Sequence, residues 1–172
     1  TAYYPGAMSD ASSLSLKDIT SGLVVISPND PQAMSKFAAE CQELRIPYLF
    51  DPGMQLPRLT DEQLINGIRG ADILIGNDYE MELIKQRVKD QNLLSGVKVL
   101  ITTLGEKGSI IQTAGLPDSP SRSQSPPGRW GIKAGKPTTV VDPTGAGDAF
   151  RAGFLTGYLK DQNQMAAHIL LL

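Results

Sequence analysis

The chain has 172 residues, 41% hydrophobic and 20% charged, which suits one packed core and a single domain over residues 1–172. Sixteen Lys and Arg against eighteen Asp and Glu leave a net charge of −2, so no basic excess exists to neutralise a phosphate backbone, and nucleic acid is not an expected partner. The longest apolar runs, Leu23 to Ile26 and Ile169 to Leu172, fall far below the ~20 residues that cross a bilayer, so no membrane span is expected. A lone Cys41 and the lack of a basic-then-apolar leader make the cytoplasm the default compartment. Thr1-Ala2-Tyr3-Tyr4 and the apolar Ile169 to Leu172 read as cut ends of a longer protein.

Leu23-Val24-Val25-Ile26 reads as a strand buried on both faces. Pro31 suits a first helical position, and Met34, Phe37, Ala38, Cys41 and Leu44 follow at helical spacing, which places Cys41 in the core. Ile46 to Phe50 is a second strand, completing a right-handed parallel crossover. Thr60-Asp61-Glu62-Gln63 opens a capped helix through Leu64, Ile65 and Ile68. Asp72 to Ile75 is a third strand, Asn77 to Lys89 a helix, and Val97 to Thr102 a fourth strand. After the turn Leu104-Gly105-Glu106-Lys107-Gly108, Ser109 to Thr113 returns antiparallel. Gly115 to Gly131 is rich in Pro, Ser and Gly and reads as an exposed loop, with Trp130 either anchoring it or folding over a ring-shaped ligand. Thr138 to Asp142 is expected to be a last strand, and Asp148 to Lys160 a last helix. Strands alternating with helices make an α/β protein whose mainly parallel sheet is flanked by helices on both faces. Ligands then bind beyond the carboxyl ends of the strands.

The sharpest segment is Asp142-Pro143-Thr144-Gly145-Ala146-Gly147-Asp148, between a strand and a helix. Small residues leave the amides of Gly145, Ala146 and Gly147 uncovered at a helix N-terminus, where unpaired donors and the dipole favour an anion. Asp148 beside them is a carboxylate able to take a proton from a hydroxyl attacking a held phosphoryl group. The same residues also suit a plain Gly-rich turn with Asp148 capping the helix. Asn77 with Glu80 three residues on is a capping box and also a carboxylate at a strand's carboxyl end. Lys85 and Arg87, on the helix that follows, read as solvated, and His168 reads as a packing residue.

Asp142 to Leu155, DPTGAGDAFRAGFL, resembles the second signature of the PfkB/ribokinase family of carbohydrate and nucleoside kinases at every constrained position. Asn77-Asp78-Tyr79-Glu80 is similar to the family's Asn-x-x-Glu motif, and Thr103 to Gly108 to its Thr-x-Gly-x-x-Gly turn. The resemblance implies a three-layer α/β/α ribokinase-like fold, incomplete because the N-terminal strands and β lid are absent. It implies ATP and Mg²⁺ as cofactors, and transfer of the γ-phosphoryl group to a hydroxymethyl group of a nucleoside or sugar. In that reading Asp148 is the catalytic base, and the amides of Gly145, Ala146 and Gly147 stabilise the transferring group. Thr103, Gly105, Gly108, Thr144 and Asn77 line the nucleotide site. Glu80 and Asn77 hold Mg²⁺ through water, and Asp142 lies near the monovalent-cation site, for K⁺, of members that have one. Tyr4 to Met8, Phe50 to Gly53 and Asn77 to Glu80 look most like bacterial adenosine kinases. A ribokinase- or fructokinase-like sugar kinase and a non-catalytic nucleotide-binding fragment are the alternatives. Pairing of the complete protein through its lid is a further implication. The Asp-x-Asn-x-Arg pattern of some phosphosugar kinases is absent after Asp51, which argues against a phosphorylated acceptor.

Overall fold

The structure, a computed structural model, describes residues 6–113, 128–136, 138, 139, 142 and 144–160. Its frame is a sheet of six strands in the order β1 (Val24–Ile26), β2 (Tyr48–Phe50), β3 (Ile73–Asn77), β4 (Val99–Thr103), β5 (Ser109–Thr113) and β6 (Arg129–Ile132). The first four run parallel, and β5 and β6 are antiparallel additions. Helices α1 (Pro31–Leu44), α2 (Asp61–Ile68), α3 (Asp78–Arg87), the short α4 (Gln91–Ser95) and α5 (Ala146–Lys160) complete the described elements, apart from short 3-10 turns.

Local chemistry accounts for each start. The Asp30 carboxylate accepts from the amides of Gln32 (2.9 Å) and Ala33 (3.1 Å), with Pro31 as the first helical residue. Thr60 with Gln63, and Asn77 with Glu80, form reciprocal capping boxes at α2 and α3. Arg45 closes α1 in the left-handed conformation at φ 57°, the one described non-glycine residue there.

Strands taken in strict order with right-handed crossovers place α1, α2 and α3 on one face. There Met34, Ala38 and Cys41 of α1, Leu64 and Ile68 of α2, and Met81 and Ile84 of α3 bury against Ile26, Tyr48, Phe50 and Leu74. Opposite, Leu49, Ile73, Ile75, Val99, Ile101 and Ile111 pack with Phe154 of α5. The helix α5 is the third layer, so the expected α/β/α arrangement with a mainly parallel sheet is present. Cys41 is buried, and burial pushes its thiol up to about 11, as befits a core residue.

Four expectations need correction or a limit. Val25 is 41% exposed, because the second-face cluster runs from β2 to β5 and stops short of the edge strand β1. Residues 129–131, assigned to the loop, form β6 together with Ile132: Arg129, Trp130 and Gly131 pair with Gln112, Ile111 and Ile110, so a partner strand supplies the order that local composition does not. Trp130 accordingly packs against the second-face cluster and anchors the end of the loop. Arg87 is not solvated: it pairs with Asp61 (2.7 Å) and donates to the Leu56 and Leu59 carbonyls (2.6 Å each), pinning the end of α3 to the segment before α2. In the expected strand at 138–142, Thr138, Thr139 and Asp142 are not in a strand, while Val140, Val141 and also His168 lie outside the described residues. No helix among the described residues is long and apolar enough to cross a membrane.

Candidate active site

Register places one row of residues across the carboxyl edge of the sheet. Asn77 at the end of β3 pairs with Thr103 at the end of β4, Thr103 with Ser109 at the start of β5, and Ser109 with Ile132 at the end of β6. Antiparallel β5 and β6 thus contribute their opposite ends to the same edge as the parallel strands. This row forms one wall of a cavity of about 540 Å³, within the range of small-molecule sites. Phe150, Gly153 and Phe154 of α5 form the facing wall, and Lys133 is the one charged residue of the described lining.

The β4–β5 turn shapes the floor. Leu104 N–H donates to the Gly108 carbonyl (2.8 Å) and Gly108 N–H to the Gly105 carbonyl (3.0 Å). Gly108 sits at φ 97°, ψ −133°, and a Cβ there would come within 1.8 Å of the Ile132 carbonyl oxygen. Only glycine lets this turn lie so close to the end of β6. The expected Thr103, Gly105, Gly108 and Asn77 all line the cavity.

At its other end, Gly145 at φ 81° turns the chain into α5, and its carbonyl accepts the first helical bond, from Ala149 (2.9 Å). The amides of Ala146, Gly147 and Asp148, ahead of that bond, have no intrahelical acceptor. Ala146 and Gly147 line the cavity, so the helix N-terminus is presented to whatever occupies it. Gly145, Thr144, Asp142, Glu80 and Asp148 are not among the lining residues. Asp148 lies in the first turn of α5 with its side chain 76% exposed. The Asp142 carboxylate accepts from Thr144 N–H (2.8 Å), which holds it below the usual carboxylate range and makes Asp142 the residue that forms the turn.

The residues fit the nucleotide that the resemblance implies. The cavity is large enough, its glycines admit close backbone approach, and Ser109 keeps a buried hydroxyl with no partner among the described residues. For Mg²⁺ the described residues include no group of three or more acidic, His or Cys ligands. Mg²⁺ beside a nucleotide is held chiefly by phosphates and water with one or two carboxylates. Glu80 can supply one oxygen, since its Oε2 is committed to Asn77 N–H (2.8 Å), and the Asn77 Oδ1 is committed to Glu80 N–H (2.8 Å).

Sequence reasoning missed Arg151. From the second turn of α5 its guanidinium bridges two carboxylates, Asp148 on its own helix and Asp51 at the end of β2. Asp51 is buried at 8% exposure and also accepts from Gly53 N–H. Burial pushes its carboxyl up to about 6, against the opposing pull of Arg151. The i, i+3 spacing of Asp148 and Arg151 was a readable signal, whereas the partner one hundred residues away was not.

Comparison with known proteins agrees with this fold. The model of the pfkB family of carbohydrate kinases matches residues 9–169. A nucleoside kinase of Methanocaldococcus jannaschii is 35% identical over 164 residues, covering 93% of this chain and 49% of that protein. The Burkholderia thailandensis nucleoside kinase in complex with inosine superposes with a TM-score of 0.78 at 31% identity, over 98% of this chain and 52% of that one. The same enzyme in complex with ADP-inosine gives 0.75 at 33% identity, over 92% and 47%. The chain thus spans about half the length of these relatives, which are nucleoside kinases and not specifically adenosine kinases. With a matching family model over nearly its whole length and an α/β/α frame shared with these enzymes, the chain belongs to the pfkB family of carbohydrate kinases.

Proposed function

We propose that the chain is the C-terminal portion of a PfkB-type kinase domain that transfers the γ-phosphoryl group of ATP to a hydroxymethyl group of a nucleoside, in the cytoplasm. The observation that carries this is the junction at the start of α5: Ala146 and Gly147 on the wall of a nucleotide-sized cavity, with the Asp148 carboxylate next in sequence. In the reaction Asp148 takes the proton of the acceptor hydroxyl, the hydroxyl oxygen bonds to the γ-phosphorus, and the bond to the β-phosphate oxygen breaks to release ADP. The Gly145, Ala146 and Gly147 amides face the charge that develops on the transferred group. Thr103, Gly105, Gly108 and Asn77, all on the cavity lining, seat the nucleotide, with Lys133 as the cation beside it; Thr144, in the turn just outside the lining, completes the seat. Glu80, by the oxygen its capping bond leaves over, with Asn77 beside it, would hold Mg²⁺ through water, and the ion would supply charge neutralisation at the phosphates.

A purine nucleoside is the proposed acceptor, adenosine among the candidates. Two things support it: the similar Burkholderia enzyme is described in complex with inosine, and the segments at Phe50 to Gly53 and Asn77 to Glu80 look like adenosine kinases. The test is ADP formation by the complete protein with ATP and Mg²⁺, offered adenosine, inosine, cytidine, ribose and fructose in parallel. Turnover with nucleosides is expected. Turnover with free sugars alone would move the enzyme to the sugar kinases, and silence with every acceptor would leave a nucleotide-binding protein.

A further inference from the structure

Asp148 presents a physical difficulty as a base. Its side chain is 76% exposed at the first turn of a helix, where a carboxylate samples several rotamers and an ordinary i, i+3 ion pair holds it only weakly. Acceptance of a proton in the transition state needs one orientation. Arg151 differs from a surface partner in being only 15% exposed at its side chain, with its Nη1 on the Asp51 Oδ2 and its Nη2 on the Asp148 Oδ1. Asp51 is itself fixed, at the end of the fully buried strand β2 and under the turn at Gly53, whose N–H it accepts. The planar guanidinium fork is pre-organised, so fixing one nitrogen fixes the other. Asp148 Oδ2 has no hydrogen-bond partner among the described residues.

We propose that Arg151 is a positioning residue, anchored by Asp51, that holds Asp148 by Oδ1 and thereby aims Oδ2 at the acceptor hydroxyl. This rests on the reading of Asp148 as the base. The arrangement joins the loop after β2 to the first turns of α5, so the orientation of the base is set by the rigid sheet instead of by the helix terminus alone. Three charged groups of net charge −1 leave Asp148 its negative charge for proton transfer.

The experiment is steady-state kinetics of the complete protein with ATP and its best nucleoside, comparing wild type, Asp148→Asn, Arg151→Met, Arg151→Lys, Asp51→Asn and the Asp51→Asn/Arg151→Met double variant. Arg151→Met is expected to lower kcat about 10- to 100-fold, the scale of a small misplacement of a reacting group, with the KM for ATP within about threefold of wild type. Arg151→Lys keeps the charge but not the fork and is expected to recover only part of the loss. Asp51→Asn should lower kcat in the same direction, and the double variant should be no slower than Arg151→Met alone, because Asp51 acts through Arg151. Wild-type kcat in Arg151→Met, beside an inactive Asp148→Asn, would overturn the positioning role and leave the base reading intact. So would a loss seen only in KM or thermal stability, or equal kcat in Arg151→Lys and wild type. Should Arg151→Met fail to fold, the Arg151→Lys and Asp51→Asn variants decide the matter by the same kcat criterion. Wild-type turnover in Asp148→Asn would remove the base reading and this inference together.

Discussion

Replacing Gly108 by alanine is the most quantitative test of how the cavity floor is built. Its backbone, φ 97° and ψ −133°, lies where side chains cost of order 1–3 kcal/mol. A Cβ would stand 1.8 Å from the Ile132 carbonyl oxygen and 2.8 Å from the Ala134 nitrogen, both backbone atoms that no rotamer change moves. The end of β6 must therefore retreat, or the turn must open and weaken the Leu104–Gly108 hydrogen bond, worth about 1 kcal/mol net. Together these give a loss of about 2–4 kcal/mol, or roughly 5–15 °C in Tm for a chain of this size. Gly105→Ala, three residues away, is the control: its φ of 58° lies in the ordinary left-handed region and nothing stands within 4 Å, so about 1 kcal/mol is expected. Thermal melts of both variants, repeated with saturating ADP, give the comparison. Gly108→Ala should melt well below Gly105→Ala and gain less from ADP, since Ile132 and Ala134 line the cavity. Equal melting temperatures for the two variants would refute the close approach of turn and strand.

Gly67→Ala in α2 would place a Cβ 2.2 Å from the Phe50 ring, and the overpacking should cost about 1–3 kcal/mol in denaturant unfolding despite the better helix propensity of alanine. Asp51 predicts an unusual pH dependence. Its folded carboxyl lies at about 6 against an ordinary 3.8, so between those values the folded state binds more protons than the unfolded one, and this group's contribution to stability falls as pH rises. Asp51→Asn should remove that slope, gaining on wild type by up to about 3 kcal/mol in total from pH 4 to 7; parallel stability curves would contradict it. Buried Cys41, with its thiol held at about 11, should resist thiol reagents in the native protein at pH 8 and react at once in denaturant; rapid native labelling would contradict its core placement.

Much of this arrangement was legible in the residues because it depends on local chemistry. Asp30-Pro31, Thr60 to Gln63 and Asn77 to Glu80 are caps whose partners lie within three residues, and the apolar runs of β2 to β4 identify their own strands. The β4–β5 hairpin follows from turn chemistry at strand ends, whereas Asn77, Thr103, Gly105 and Gly108 were expected at the cavity through the family resemblance. What escaped was long-range. The strand β6 carries Arg129, Trp130 and Gly131, a composition that becomes a strand only when β5 supplies the ladder. Arg87 reads as a solvated helix position and nothing local singles out Arg151, yet both are mostly buried because carboxylates and carbonyls distant in sequence receive them. Charge pairing across a fold has no period to reveal it.

The proposed reaction requires Asp148 to accept the acceptor's proton beside a nucleotide held at the start of α5. It is tested most directly by measuring, in the complete protein with ATP, Mg²⁺ and a purine nucleoside, the turnover and ADP affinity of Asp148→Asn against wild type. The expected result is a fall in kcat of at least about 10²-fold, on the scale of general-base catalysis, with ADP affinity within about threefold, since Asp148 is not on the cavity lining. Turnover close to wild type, or ADP affinity lost along with it, would refute the role of Asp148 as base.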